Sequence, residues 1–246
     1  MLPRPTATAP RRLLEAATPS AVLAVGAGVV ILKVTAGVVA NYPSYVPPDF
    51  TRGFLFGREA TFFGWYRWAF GLHLLAGPLA LVLGLFLMSP NARRHFPALH
   101  RALGRVQVGV VVLGLAPSGL AMATRPAAGP VAGVGLGLLA VLTGSTAMLG
   151  WRAAVRHRLA EHRRWMVRYF VLLASAVVLR LGVGLATVVG CTGAWVDVVA
   201  AWACWVGPLA AFEVRERWAS SARRRGGGGR RRDRVGPAGR LGVDGR

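Results

Sequence analysis

The chain is built from long uncharged apolar stretches separated by connections in which arginine is concentrated. Six stretches, at 20–40, 67–88, 105–124, 130–150, 165–189 and 191–214, each approach the roughly 20 residues that a hydrocarbon core of about 30 Å requires. Apolar positions fall on every side of each predicted helix, leaving no polar face for water. The pattern therefore predicts an all-α, polytopic transmembrane bundle of six spans. Gly190 and its neighbours alone separate the fifth and sixth spans, which predicts a tight hairpin. Small residues at helical spacing, Ala76, Ala80 and Gly84 in one span and Gly133 and Gly137 in another, are placed to let helices approach closely.

Composition sharpens this picture, because 54% of residues are hydrophobic while the formal net charge is +21. Apolar and basic residues must therefore occupy separate blocks. Nucleic-acid binding needs a basic face on a soluble domain, and these arginines lie between uncharged spans, so that class is set aside. Alternate connections and the two tails hold 24 of the Arg and Lys residues. The remaining connections hold four, Arg52, Arg58, Arg67 and Arg125. By the positive-inside rule both termini are cytoplasmic. Residues 1–19 are expected to form an N-terminal tail, 20–214 the membrane domain, and 215–246, rich in Arg and Gly, a disordered basic tail that meets anionic headgroups of the lipid bilayer. Arg11 and Arg12 before an apolar run ending in Val38, Val39 and Ala40 also fit a signal peptide. The length of that run and Lys33 within it favour a retained span.

The connection from Asn41 to Tyr66, with Tyr42, Tyr45, Phe50 and Phe54, is long and aromatic enough to form a small lid on the outer surface. Cys191 and Cys204 stand about 20 Å apart along one helix by its rise, too far for a disulfide, and read as small apolar residues. No HExxH, GxSxG, P-loop or CxxC motif occurs, and the acidic residues number nine, so no soluble catalytic constellation can be assembled and no metal site is expected. ARRHFPALHR at Ala92 to Arg101 and AVRHRLAEHR at Ala154 to Arg163 share the pattern A-x-R-H-x-x-A-x-H-R at an offset of 62 residues. That offset would make helices two and three a parallel repeat of helices four and five.

LHRALGRV at Leu99 to Val106, EHRRWMVR at Glu161 to Arg168, the pair Leu179 and Arg180, and WACW at Trp202 to Trp205 followed by Glu213 resemble the bacterial membrane proteins catalogued as domain of unknown function 2306. The resemblance covers roughly 65–213. It singles out Arg101, Gly104, Arg105, Arg163, Arg164, Trp165 and Arg168 as a shared cytoplasmic motif, and His73 as a membrane histidine usual in such proteins. Gly207 stands before Pro208 where the family tends to have proline then asparagine after its CW pair, so any polar role of that asparagine is missing. The resemblance implies a multi-helix domain in the plasma membrane of a bacterium, with no established reaction.

Function is then sought in polar groups that a bilayer makes costly. Counted from the outer ends of the expected spans, Lys33 and Asp197 lie about 10 Å deep, His73 about 9 Å and Arg180 about 15 Å. The four are expected to form an intramembrane polar cluster, with Arg180 and Asp197 ion-paired across the final hairpin. An outward-facing polar pocket for a small solute, without enzymatic chemistry and with no cofactor, follows as the leading expectation. One alternative is a haem b-binding redox protein, because His100 and His162 stand near the cytoplasmic starts of two spans, where axial ligands could meet. A structural or partner-binding membrane protein is the other.

Overall fold

The computed structural model describes residues 19–232, and all that follows concerns these residues. They form α1 (Pro19–Ala40), α2 (Glu59–Phe62), α3 (Trp65–Met88), α4 (Pro90–His95), α5 (Pro97–Gly109), α6 (Ala116–Ala123), α7 (Pro130–Val155), α8 (Leu159–Val188) and α9 (Ala194–Arg232). A π-helical stretch, Val110–Leu115, joins α5 to α6 without a break. No strand occurs among the described residues. Six helical segments are long and apolar enough to cross a membrane: Ala21–Ser44, Trp65–Met88, Pro97–Ala123, Pro130–Val155, Leu159–Val188 and Ala194–Ser221. The protein is thus an all-α, multi-pass membrane protein, as the apolar pattern predicts.

Two span starts differ from expectation. The third begins at Pro97 rather than near residue 105, and the fifth at Leu159 rather than near 165. In both, the basic first turns are already helical, since Arg, Leu, Ala and Glu are strong helix formers even where they are too polar for lipid. The last helix likewise continues to Arg232, through the first part of the tail expected to be disordered from residue 215. A long apolar helix ahead of it supplies the nucleus, so each further residue need only propagate. Residues 1–18 and 233–246, which carry the start of the N-terminal tail and the end of the basic tail, lie outside the described residues.

The chain divides into two compact units, 1–205 and 206–246. In the first, α7 and α8 pack along each other, α3 packs against the third span, and α1 touches α3 and α8. Ile31, Ala76, Ala80, Leu81, Val111, Leu115, Tyr169 and Leu173 share one buried core. Small residues set its closeness: a Cβ on Gly84 would come within 3.1 Å of Phe170, and one on Gly114 within 3.4 Å of Ala76. Large apolar side chains such as Val25 (67% exposed), Leu75 (69%) and Leu113 (78%) point outward. That surface suits hydrocarbon, which solvates it without a hydrophobic penalty. The second unit continues the last helix, with Ser220 and Ser221 donating to the Arg217 carbonyl.

Prolines shape two of the spans. Pro78 sits inside α3, where it has no N–H to give the Leu74 carbonyl four residues earlier. The Tyr42 hydroxyl, from the connection after α1, donates to that carbonyl instead. In the third span Pro117 comes one residue after the π-helical stretch, which widens the turn where the ladder loses a donor. The connection itself folds into a cap. Leu55, Phe62, Tyr66 and Phe70 form a second buried cluster with Tyr45, Phe50, Leu74 and Met122 around it. Phe54 stacks on Phe70 at 5.2 Å, and Tyr45 meets the same ring edge-on at 5.1 Å.

Candidate functional site

Beneath the aromatic cap lies a cavity of about 450 Å³. Its walls come from α1 (Val34, Thr35), α3 (His73, Leu74, Leu81), the third span (Leu115, Gly119), α7 (Leu139, Thr143) and α8 (Ser175, Arg180). Tyr45, Phe54 and Arg58 of the cap line it too, as do Arg125 and Pro126 from the connection between α6 and α7. The surface is largely apolar with a few convergent polar groups, the usual constitution of a small-molecule site.

His73 is half-buried on α3, and its Nδ1 lies 3.2 Å from Ser118 Oγ. Ser118 gives its one proton to the Leu115 carbonyl, 3.1 Å away. The hydroxyl thus links the His73 ring to the backbone of the third span. Gly119 leaves room for this ring, since a Cβ there would stand 3.3 Å from His73 Cε1. Arg180 donates through Nη1 to the Ala176 carbonyl one turn back on its own helix at 2.9 Å. Its electrostatic neighbours are the phenols Tyr45 and Tyr42. Arg58 donates to the Tyr66 hydroxyl at 3.0 Å and covers the Phe54 ring at 4.3 Å. Arg125 donates to the Thr61 carbonyl at 2.9 Å and covers Trp65 at 4.6 Å. These contacts to cap rings and cap backbone aim both guanidiniums from loops, which alone would not fix them.

Of the four residues expected to cluster, the structure brings together His73 and Arg180. Lys33 is exposed on α1 and lines no part of the cavity, and Asp197 is exposed near the start of α9. The expected Arg180–Asp197 ion pair does not form. Asp49 pairs with Arg52 and Arg158 with Glu161, while Arg180 bonds the Ala176 carbonyl. The reason is level. Because α9 begins at Ala194 rather than Cys191, Asp197 lies about 4.5 Å into its helix, while Arg180 lies about 12 Å back from the end of α8 at Val188.

At the other end of the bundle, His162 Nδ1 lies 2.8 Å from the Gly150 carbonyl and donates to it. His100 stands within electrostatic reach of His162 and of Arg93 and Arg101, and its buried Nδ1 has no partner among the described residues. Neither histidine lines the cavity. Arg101, Arg105, Arg163 and Arg164 are exposed, Gly104 is half-buried, and Arg168 lies over the Trp165 ring at 5.0 Å. Among the described residues no group of three or more His, Cys, Asp or Glu side chains could hold a metal ion.

A family model described as "Predicted membrane protein (DUF2306)" matches residues 70–214. The chain belongs to this family. Among curated proteins and solved structures there is no match. The DUF2306 segment contains His73, Ser118, Arg125 and Arg180, while Tyr45, Phe54, Arg58 and Tyr66 precede it. The walls from α3, the third span, α7 and α8 therefore fall in the family segment, while the α1 wall and most of the aromatic cap lie ahead of it.

Sequence reasoning missed Arg58 and Arg125. A signal for them was present, because they belong to the four basic residues on the arginine-poor side, where the positive-inside rule asks for none. Arg52 pairs with Asp49 and Arg67 covers Trp68. The other two line the cavity.

Proposed function

We propose that the protein binds a small solute in a polar pocket that opens between the membrane helices toward the outer face, and that it does so without enzymatic chemistry. The observation that carries this reading is the cavity of about 450 Å³ that gathers His73, Arg58, Arg125 and Arg180 under the cap. Charged and polar side chains within membrane spans are costly and face partners or cavities. Three arginines around one apolar-walled space fit a site that receives something. A chain with Cys191→Ser and Cys204→Ala and a single new thiol at Ala140, on the α7 wall, tests the opening. A membrane-impermeant thiosulfonate added to the outer face should label it. Labelling from the inner face alone would refute an outward pocket.

A second reading, haem b binding, is favoured by one observation. A ligating histidine typically gives its second ring N–H to a backbone carbonyl, and His162 does this with Gly150. Its test is the visible spectrum of protein produced with ample haem. A Soret band lost on His162→Ala supports it, and colourless protein rejects it.

A further inference from the structure

We infer that the cavity takes an amphipathic anion, with a carboxylate or phosphate group at its arginine-lined end and a hydrocarbon portion along its aliphatic wall. This rests on the pocket reading above and adds the chemical class of the occupant.

Charge balance comes first. The lining contains Arg58, Arg125 and Arg180 and neither aspartate nor glutamate. The hydrogen bonds that these guanidiniums make go to neutral oxygens of Tyr66, Thr61 and Ala176. None of the three takes part in the Asp49–Arg52 or the Arg158–Glu161 ion pair. Each guanidinium has five N–H donors in a fixed fork, so each keeps several to offer after its one bond. Arg58 and Arg125 both lie within electrostatic reach of Tyr66, on the cap side of the cavity.

The remaining polar groups point the same way. Thr35, Thr143 and Ser175 line the cavity but give their hydroxyl protons to the carbonyls of Ile31, Leu139 and Leu172 on their own helices. Asn41, which gives one amide proton to the Gly37 carbonyl, and Tyr45 keep neutral donors in the lining, and the cationic donors are the three guanidiniums. Arg58 is half-buried and Arg125 and Arg180 are exposed at the cavity's edge; a neutral solute would offer their charge no counter-charge, and a cation would be repelled. A planar or tetrahedral oxyanion matches the fork, with charge-assisted bonds about twice as strong as neutral ones.

Shape supplies the second half. Beyond the arginines the walls are Leu81, Leu115, Leu136, Leu139, Leu173 and Val177. Such a surface pairs with hydrocarbon, not with a fully hydrated ion. The volume lies within the range of small-molecule sites. A free alkyl carboxylate and the headgroup end of an anionic lipid both present this chemistry.

The test uses the full chain in phosphatidylcholine nanodiscs with radiolabelled dodecanoate, and with 1-dodecanol as the uncharged competitor of equal chain length. Saturable dodecanoate binding is expected, at least tenfold weaker competition by dodecanol, and at least tenfold weaker binding in Arg58→Gln and Arg180→Gln, with partial recovery in Arg180→Lys. The comparison of the two probes on the unaltered protein needs no variant, so it stands even if a substitution fails to fold. Equal binding of dodecanol and dodecanoate would overturn the anion inference while leaving the pocket intact. Failure of both probes to bind, with the thiol at Ala140 unreachable from outside, would remove the pocket as well. Replacing a third of the phosphatidylcholine by phosphatidylglycerol separates the two sources. Competition assigns the site to a lipid headgroup, and unaltered dodecanoate binding assigns it to a free amphiphile.

Discussion

Asp49 sits in the cap with its carboxylate accepting from Thr51 Oγ1 at 2.6 Å, Thr51 N at 2.9 Å and Arg52 Nε at 2.7 Å. The Thr51 hydroxyl bond, then its backbone bond, then the Arg52 bond hold the carboxyl down at about 2. A depressed carboxylate contributes its stabilisation above the unfolded value of about 3.9 and loses it as pH falls through the folded one. The turn from Asp49 to Arg52 should therefore hold at pH 5 and loosen between about pH 4 and pH 2. Amide exchange at Thr51 would show this. Asp49→Asn should flatten the dependence, and an unchanged profile in that variant would assign the loosening to another group.

His157 makes a second residue-scale case. It closes α7 with φ at +56°, a left-handed conformation that glycine adopts freely. Holding that conformation costs an L-residue roughly 1–2 kcal/mol, a cost glycine escapes but partly gives back through the extra entropy it loses on folding. His157→Gly should accordingly raise the melting temperature in detergent by an amount worth up to about 1 kcal/mol. A fall would mean that the imidazole itself holds the turn. The sequence does not announce this conformation, because the A-x-R-H pattern reads as one more basic helix end. His73 and Arg180, in contrast, are legible at once, since a polar group amid apolar residues has few structural excuses. Arg58 and Arg125 are hidden because arginine in a connection is ordinary until the side of the membrane is considered.

Among the elements, the apolar periods give all six spans, and the misplaced starts of the third and fifth follow from helix propensity outrunning hydropathy. Sequence could not show that Tyr42 reaches, across 32 residues, the Leu74 carbonyl that Pro78 leaves without its helical donor. An unsatisfied carbonyl within lipid is costly, so Tyr42→Phe should destabilise by about 1–3 kcal/mol. Pro78→Ala restores the helix's own donor, and in that background Tyr42→Phe should cost little. Equal costs in both backgrounds, measured by unfolding in mixed micelles, would show that the hydroxyl serves something else. Buried Gln107 similarly donates to the Ala80 carbonyl at 2.9 Å and to the Tyr169 hydroxyl. Gln107 and Tyr169 are 62 positions apart, the offset that relates the two A-x-R-H-x-x-A-x-H-R patterns. His100 and His162, which stand within electrostatic reach of each other, have the same spacing.

For the whole molecule, orientation decides whether the cavity can meet what we assign to it. From the arginine count we expect the connections around 41–66 and 125–129 to lie outside, and these two connections supply the cap, Arg58 and Arg125. The six spans force both termini to one side, so a single misread connection would invert the rest. Basic residues within short loops resist translocation, and the effect is counted over the flanks of each span. Reporter fusions after Arg158 and after Arg217 should therefore read cytoplasmic, while fusions within Pro47 to Gly57 and at Ala127 should read external. An external signal at Arg158 would turn the cavity toward the cytoplasm. The arginines beside it would then be drawn by the positive-inside preference, and the case for an anion from the outer leaflet would fall with the topology. The expected pattern leaves Arg58 and Arg125 on the side where that preference opposes them, which makes a bound anion the stronger account of why they are there.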